Sequence, residues 1–200
     1  MRIVAGAYRG RRLKVAAGKL TRPTTERVRE AIFNVLASRV ENASVLDLYA
    51  GSGALGLEAL SRGARRAVFV EAAMQAANII RDNMGMLTDA HRTHATLLQR
   101  PIDRCVTRLS ELGPFDLALI DPPFAAVRDG SCMPTLERVA AGGVMKPDAL
   151  WVLEFPDDQP DPKSEWLDVQ QVRHYGDTRV AFMVLRGEVP KPLRISMQTT

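Results

Sequence analysis

Two hundred residues, nearly half hydrophobic and a quarter charged, suit one globular domain with enough chain to bury most of its apolar surface. No run approaches the roughly 18 apolar residues of a membrane helix. The opening Met-Arg-Ile-Val-Ala-Gly-Ala-Tyr-Arg-Gly meets Gly and Arg too soon for a signal-peptide core, so a cytoplasmic protein with no membrane partner is expected. Cys105 and Cys132 form no CxxC and no Cys/His spacing that suggests zinc, so two reduced thiols and no metal are expected. The net charge of +4 hides an asymmetry: residues 1–30 carry nine basic side chains against two acidic ones, +7, and the remaining 170 residues carry −3. A basic arm on a near-neutral body is what a phosphate backbone attracts, since each neutralised phosphate releases counterions. The competing reading is a solvated basic hairpin.

The first sixteen residues alternate weakly about Gly6 and Gly10 and read as a short hairpin or extended arm. Arg22-Pro23-Thr24-Thr25 marks a helix start, because Pro disfavours helix before it and a Thr hydroxyl can cap free N–H groups. Val28, Ile32, Val35 and Leu36 then form one apolar face, with Arg27 and Arg29 off it. From residue 43 strands and helices alternate. Strands are predicted at Ser44–Tyr49, Ala67–Glu71, Thr96–Gln99, Phe115–Asp121 and Leu150–Phe155. Helices are predicted from the glycine-rich 51–56 to Arg62, over 73–86, from Pro101 and over 134–142. Such units imply a doubly wound parallel sheet with right-handed crossovers. An acidic, Pro-rich connector, 156–163, precedes two strands, Trp166–Tyr175 and Arg179–Leu185, about a Gly176-Asp177 turn. Residues 1–40 are expected to form a basic hairpin-and-helix extension, 41–186 the main domain and 187–200 a loose tail.

Asp47-Leu-Tyr49-Ala50-Gly51-Ser52-Gly53-Ala-Leu55-Gly56 holds a GxGxxG between a strand and a helix, and Glu71 ends the next strand twenty residues after Gly51. The glycines permit a tight turn and close ligand approach, and the carboxylate can accept from ribose hydroxyls. That much also fits a dinucleotide enzyme. Asp47 favours another ligand: it would repel a pyrophosphate, but it suits S-adenosylmethionine, which carries a sulfonium and an ammonium and no phosphate. Asp47 could instead simply hold the glycine loop, and Glu71 could be a solvated strand end.

Asp121-Pro122-Pro123-Phe124 closes the fourth strand, at the carboxyl edge where an open α/β sheet forms its crevice. An exocyclic amine on a nucleobase is a poor nucleophile because its lone pair is delocalised into the ring. The Asp121 carboxylate and Pro122 carbonyl could accept its two N–H groups and localise that pair. The prolines fix φ and donate nothing, so they hold a rigid carbonyl-presenting turn. Phe124 can stack on an unpaired or flipped base. A Pro-rich turn with a buried Phe is the structural alternative.

These stretches together resemble the RsmD-like family of small-subunit (16S) ribosomal RNA guanine-N2 methyltransferases. The likeness runs from about Arg2 to Leu185. It rests on Tyr-Arg-Gly-Arg-Arg-Leu (8–13), Arg-Pro-Thr-Thr-Glu-Arg-Val-Arg-Glu (22–30), the stretch 46–64 around the glycine loop, and Asp-Pro-Pro-Phe (121–124). The resemblance implies a Rossmann-like fold with a mostly parallel seven-stranded sheet, S-adenosyl-L-methionine as methyl donor, and a guanine in small-subunit RNA within a partly assembled particle. A monomer is expected. The resemblance implies Asp121 and Phe124 in the base pocket, and Pro122 and Pro123 are expected to complete the catalytic turn. Asp47, Tyr49, Ala50, Gly51, Ser52, Gly53, Leu55 and Glu71 are expected around the cofactor. Arg9, Arg11, Arg12, Lys14, Arg22, Thr24, Arg27 and Arg29 are expected against RNA. The chain departs from the usual pattern after the third strand, where Leu98-Gln-Arg-Pro-Ile-Asp103 offers no acidic or Asn residue at the strand end for adenine. Since Asp-Pro-Pro-Phe also occurs in enzymes acting on adenine N6 or cytosine N4, those amines are alternatives. An NAD-dependent oxidoreductase would leave Asp47, Asp-Pro-Pro-Phe and the basic arm without a role. A non-catalytic RNA-binding assembly protein would not need the intact Asp121 and glycine loop.

Overall fold

The computed structural model describes residues 1–15 and 23–187, with backbone only for 23–25 and Ala90. Arg22, the Thr24 side chain and residues 188–200 of the expected tail lie outside what is described. Seven strands form one sheet: β1 (Ser44–Leu48), β2 (Arg66–Val70), β3 (Ala95–Leu98), β4 (Phe115–Ile120), β5 (Met145–Pro156), β6 (Leu167–Tyr175) and β7 (Thr178–Leu185), in the order β3-β2-β1-β4-β5-β7-β6. The first five strands are parallel, and β7 pairs antiparallel with both β5 and β6. The sequence-predicted doubly wound sheet and terminal hairpin are therefore present. The chain runs outward from β1 to β3, then returns to lay β4 on the other side of β1. That reversal opens a crevice at the carboxyl ends of β1 and β4.

Helices α1 (Pro23–Leu36), α2 (Ala54–Ser61), α3 (Met74–Met84), α4 (Asp89–Arg92), α5 (Val106–Leu112), α6 (Phe124–Arg128) and α7 (Cys132–Ala141) cover the sheet. Pro23 opens α1, where its missing N–H costs nothing, so Thr24 and Thr25 fall in the first turn rather than at the expected capping position. Neither α4 nor α6 was legible from periodicity, because four or five residues span too little of a turn pattern to display one. Strand β5 begins at Met145 rather than Leu150, with a register shift opposite Phe115–Leu117.

Alternation along the strands sends side chains into two cores. Val45, Phe69, Leu117, Leu119, Val152 and Phe182 meet α1, α2 and the N-terminal arm, through Ile32, Phe33, Leu57, Ile3, Tyr8 and Leu13. Leu46, Val70, Ile120, Trp151, Leu153 and Phe155 meet α5 and α7 through Leu109, Leu136 and Val139. All eight residues of α2 are buried, which explains its lack of a polar face. The arm and α1 share their core with the sheet, so the basic extension packs as part of the same hydrophobic unit. No helix among the described residues is long and apolar enough to cross a membrane.

Candidate active site

The glycine loop joins β1 to α2. Gly51 and Gly53 have φ of +57° and +76°, the left-handed region that a Cβ disfavours. Gly56 is needed for space instead: a Cβ there would lie 2.3 Å from Phe69 Cε1, so the third glycine lets α2 approach β2. The turn is fastened from two sides. Gly56 N–H donates to Asp47 Oδ2 at 2.8 Å, and Gly51 N–H donates to Glu71 Oε2 at 2.8 Å. Ala73 N–H donates to the other Glu71 oxygen, so the carboxylate sequence reasoning matched to a ribose also ties β2 to β1. Each carboxylate oxygen has a second lone pair, and half-buried Glu71 keeps acceptor capacity for a ligand. Asp47 is buried, and burial, opposed by the Gly56 N–H and reinforced by the charges of Asp121 and Glu71, holds its carboxyl well above the usual range. The loop-holding role of Asp47 is the one its contacts show.

Ala50, Gly53 and Leu55 are buried along the loop, and Gly51 and Ser52 are half-buried. Tyr49 takes φ +57°, uncommon for a bulky residue and a recurrent sign of a functional turn. Its ring packs on the α7 side, and burial, with Cys132 adjoining, pushes its hydroxyl up to about 12. Met74, two-thirds exposed, opens α3 three residues beyond Glu71. Sequence reading passed over it because an exposed Met on a helix carries no signal until its neighbours are known.

Asp121 follows the last residue of β4 and is exposed, with Pro122 buried, Pro123 exposed and Phe124 half-buried at the first position of α6. The Arg128 guanidinium lies 5.8 Å from the Phe124 ring centroid, one turn on, and pairs with Asp158 at 2.8 Å. Next to Asp121 stands a residue that motif reading missed. Register pairs Ile120 with Leu153, so Glu154 is level with Asp121 on the adjoining strand. Glu154 is half-buried, and its carboxyl is held well above the ordinary value by burial first and then by the charge of Asp121. A lone acid within Leu150-Trp-Val-Leu-Glu-Phe155 was the available signal.

The arm lies against this loop. Buried Asn83 on α3 donates through Nδ2 to the Ser52 carbonyl at 2.8 Å and the Lys14 carbonyl at 3.0 Å, while its Oδ1 accepts from Lys14 N–H at 2.8 Å. Glu58, buried on α2, accepts from the N–H groups of Val4 and Ala5 at 2.8 and 3.0 Å. Arg9, Arg11, Arg12, Lys14 and Arg27 are exposed. Arg9 and Arg27 line a groove of about 450 Å³ between the arm and α1, together with Arg2, Glu26 and Glu30. Arg11 stacks over Tyr8 with its guanidinium 4.9 Å from the ring centroid, and Lys14 pairs with Asp82. Arg29 corrects the expected RNA face. It is 2% exposed, pairs with Glu58 at 3.5 Å and donates to the Arg2 carbonyl, so it cannot reach a phosphate without leaving the core. A basic residue three before Ile32 lies close to the buried stripe, and the carboxylate waiting on α2 draws it in. Among the described residues no group of His, Cys, Asp and Glu could hold a metal, and both cysteines are buried and free.

The family model described as Conserved hypothetical protein 95 matches residues 1–184. The chain is 33% identical over 160 residues to ribosomal RNA small subunit methyltransferase D of Haemophilus influenzae, covering 80% of this chain and 81% of that one. It is 36% identical over 155 residues to the protein of the same name from Escherichia coli K12, covering 77% and 74%. Among solved structures, "Putative methyltransferase yhhF from Escherichia coli" superposes with a TM-score of 0.75 at 30% identity, over 96% of this chain and 99% of that one. The structure described as "SMU.776, a putative methyltransferase complexed with SAH" has a TM-score of 0.61 at 12% identity, covering 80% of this chain and 49% of that one, a likeness of fold alone. The glycine loop, the Asp-Pro-Pro-Phe turn and the N-terminal arm all fall inside the matched span, and the chain belongs to the Conserved hypothetical protein 95 family, that of ribosomal RNA small subunit methyltransferase D.

Proposed function

We propose that this protein is an S-adenosylmethionine-dependent methyltransferase that modifies small-subunit (16S) ribosomal RNA on the exocyclic N2 of a guanine. The observation that carries the reading is the placement of exposed Asp121, on a proline-stiffened turn, at the same crevice as the glycine loop. The donor set fits the cofactor: positive-φ glycines at the turn, acceptors at Glu71, and the carboxylates of Glu71 and Asp121, which favour a cation and disfavour a pyrophosphate. When bound, S-adenosylmethionine supplies an electrophilic methyl group on a sulfonium.

The residues of the chain do the rest. Asp121 and the Pro122 carbonyl accept the two amine N–H groups and turn the nitrogen lone pair toward the methyl. As the nitrogen–carbon bond forms, the amine becomes cationic and Asp121 takes the surplus proton. Phe124 stacks on the base plane. Glu71 and Gly51–Gly53 hold the donor, with Asp47 acting through the loop it fastens. Arg9, Arg11, Arg12, Lys14 and Arg27 grip phosphates of an RNA presented in a partly assembled particle.

Incubation with tritiated S-adenosylmethionine and undermethylated small subunits, followed by nuclease digestion and mass spectrometry, tests the assignment. Label recovered as N2-methylguanine is the expected result. Label on adenine N6 or cytosine N4 overturns the base assignment, and binding of NAD with no methyl transfer overturns the class.

A further inference from the structure

Glu154 is a half-buried carboxyl that neither the glycine loop nor the Asp-Pro-Pro-Phe motif uses. Three adjoining strands deliver carboxyls to one side of the crevice. Asp47 comes from β1, Asp121 from the end of β4, and Glu154 from β5, where neighbouring strands lie about 4.8 Å apart. By strand alternation Asp47 has the parity of Val45, and Glu154 that of Leu150 and Val152, all members of the core against α1 and α2. On β7, Glu154 meets apolar Val180. From α1, the cation facing the group is buried Arg29, whose charge acts on Glu154 as well as on Glu58. Of the three carboxyls only Asp121 is exposed, so it is the one able to meet a substrate, and Glu154 stands behind it.

We propose that Glu154 is a positioning residue for methyl transfer: its charge, acting through the adjoining Asp121, strengthens Asp121 as the acceptor of the amine proton. The inference rests on the reading of Asp121 as that acceptor. In the step concerned, the amine nitrogen bonds to the methyl carbon, the carbon–sulfur bond breaks with its electron pair going to sulfur, and one N–H proton passes to Asp121. A neutral Glu154 places no charge beside Asp121. An ionised Glu154 adds a like charge beside it and makes proton uptake more favourable. Burial and the Asp121 charge keep Glu154 neutral beyond the usual carboxylate range, while Arg29 opposes them. As pH rises through the ionisation of Glu154, Asp121 gains strength.

The signature is a pH–rate profile with a second rise, the one that accompanies the ionisation of Glu154. Single-turnover methylation of undermethylated small subunits at saturating S-adenosylmethionine, from acid to alkaline pH, is compared for wild type, Glu154→Gln and Glu154→Asp. Ionisation of the nucleotide is common to all three and cancels in ratios. The ratio of wild-type to Glu154→Gln rates should grow with pH by roughly three- to tenfold, the effect of one like charge on a neighbouring proton acceptor. Glu154→Asp, which keeps the charge, should retain the second rise. A ratio constant across pH would reduce Glu154 to a packing residue and overturn the proposal.

An activity-independent reading guards against misfolded variants. In carboxyl carbon-13 NMR, the Glu154 titration should move to lower pH in Asp121→Asn, where the neighbouring charge is gone. An unmoved midpoint also overturns the proposal. If Asp121→Asn methylates at near the wild-type rate, the acceptor reading itself fails. If that variant is inactive but the Glu154→Gln ratio stays flat, only the inference about Glu154 fails.

Discussion

The residues at the crevice divide by what touches them. Asp121 is exposed, and on the proposed reading it meets the amine while the methyl moves, so Asp121→Ala should lower turnover by at least about a hundredfold, the scale of losing a positioned proton acceptor, with S-adenosylmethionine affinity little changed. Single-turnover rates alongside calorimetric titration check both halves, and near-normal turnover would remove the mechanism. Glu71 is placed differently, since its two oxygens already accept from Gly51 and Ala73. Glu71→Ala should lose ribose hydrogen bonds and loosen the loop, costing about 1.5–3 kcal/mol, or roughly ten- to a hundredfold in affinity. Unchanged cofactor affinity would show that Glu71 is only a strut between β2 and the loop.

At the scale of elements, α1 and the arm have separate jobs. Arg29 anchors α1 to α2 through Glu58, which also receives Arg62 at 2.8 Å and two N–H groups of the arm. Arg29→Ala leaves a buried carboxylate short of one partner. The usual cost of breaking such a pair is about 3–5 kcal/mol, and the remaining partners place this one near 3. Thermal melting should show a fall of roughly 6–12 °C. Loss of RNA affinity in a variant that melts normally would restore Arg29 to the RNA face. The exposed arginines call for the opposite result. An Arg9/Arg11/Arg12→Ala triple variant should melt near wild type yet bind RNA with a flatter salt dependence, by up to about 0.7–0.9 slope units for each phosphate no longer neutralised. Affinity measured across a salt series decides it: superimposable lines for variant and wild type would make the arm a solvated surface. Arg11 contributes least to that expectation, because its guanidinium already stacks on Tyr8 and donates to the Met86 carbonyl.

Over the whole molecule, local pattern and topology carried different information. Local sequence encodes the alternation of strands and helices, the terminal hairpin, the glycine loop and the acidic turn after β4. Each is written in neighbouring residues: mostly apolar runs for β1 and β4, positive-φ glycines between a strand and a helix, and prolines that stiffen the end of a strand. The tertiary structure alone decided which charged side chains face the crevice and which serve the core. Arg29 and Arg27 look alike in a helix of mixed charge, and only the carboxylate on α2 draws Arg29 inside. Glu154 lies thirty-three residues from Asp121, and the parallel pairing of β4 with β5 is what sets them side by side. Asn83 reads as one more polar residue near a helix end until the fold lays the arm and the glycine loop on either side of it. Periodicity reports which face of an element is apolar, but the partner of a buried polar group belongs to another element. Desolvation makes such a group costly unless that partner arrives, and only the folded chain brings it there.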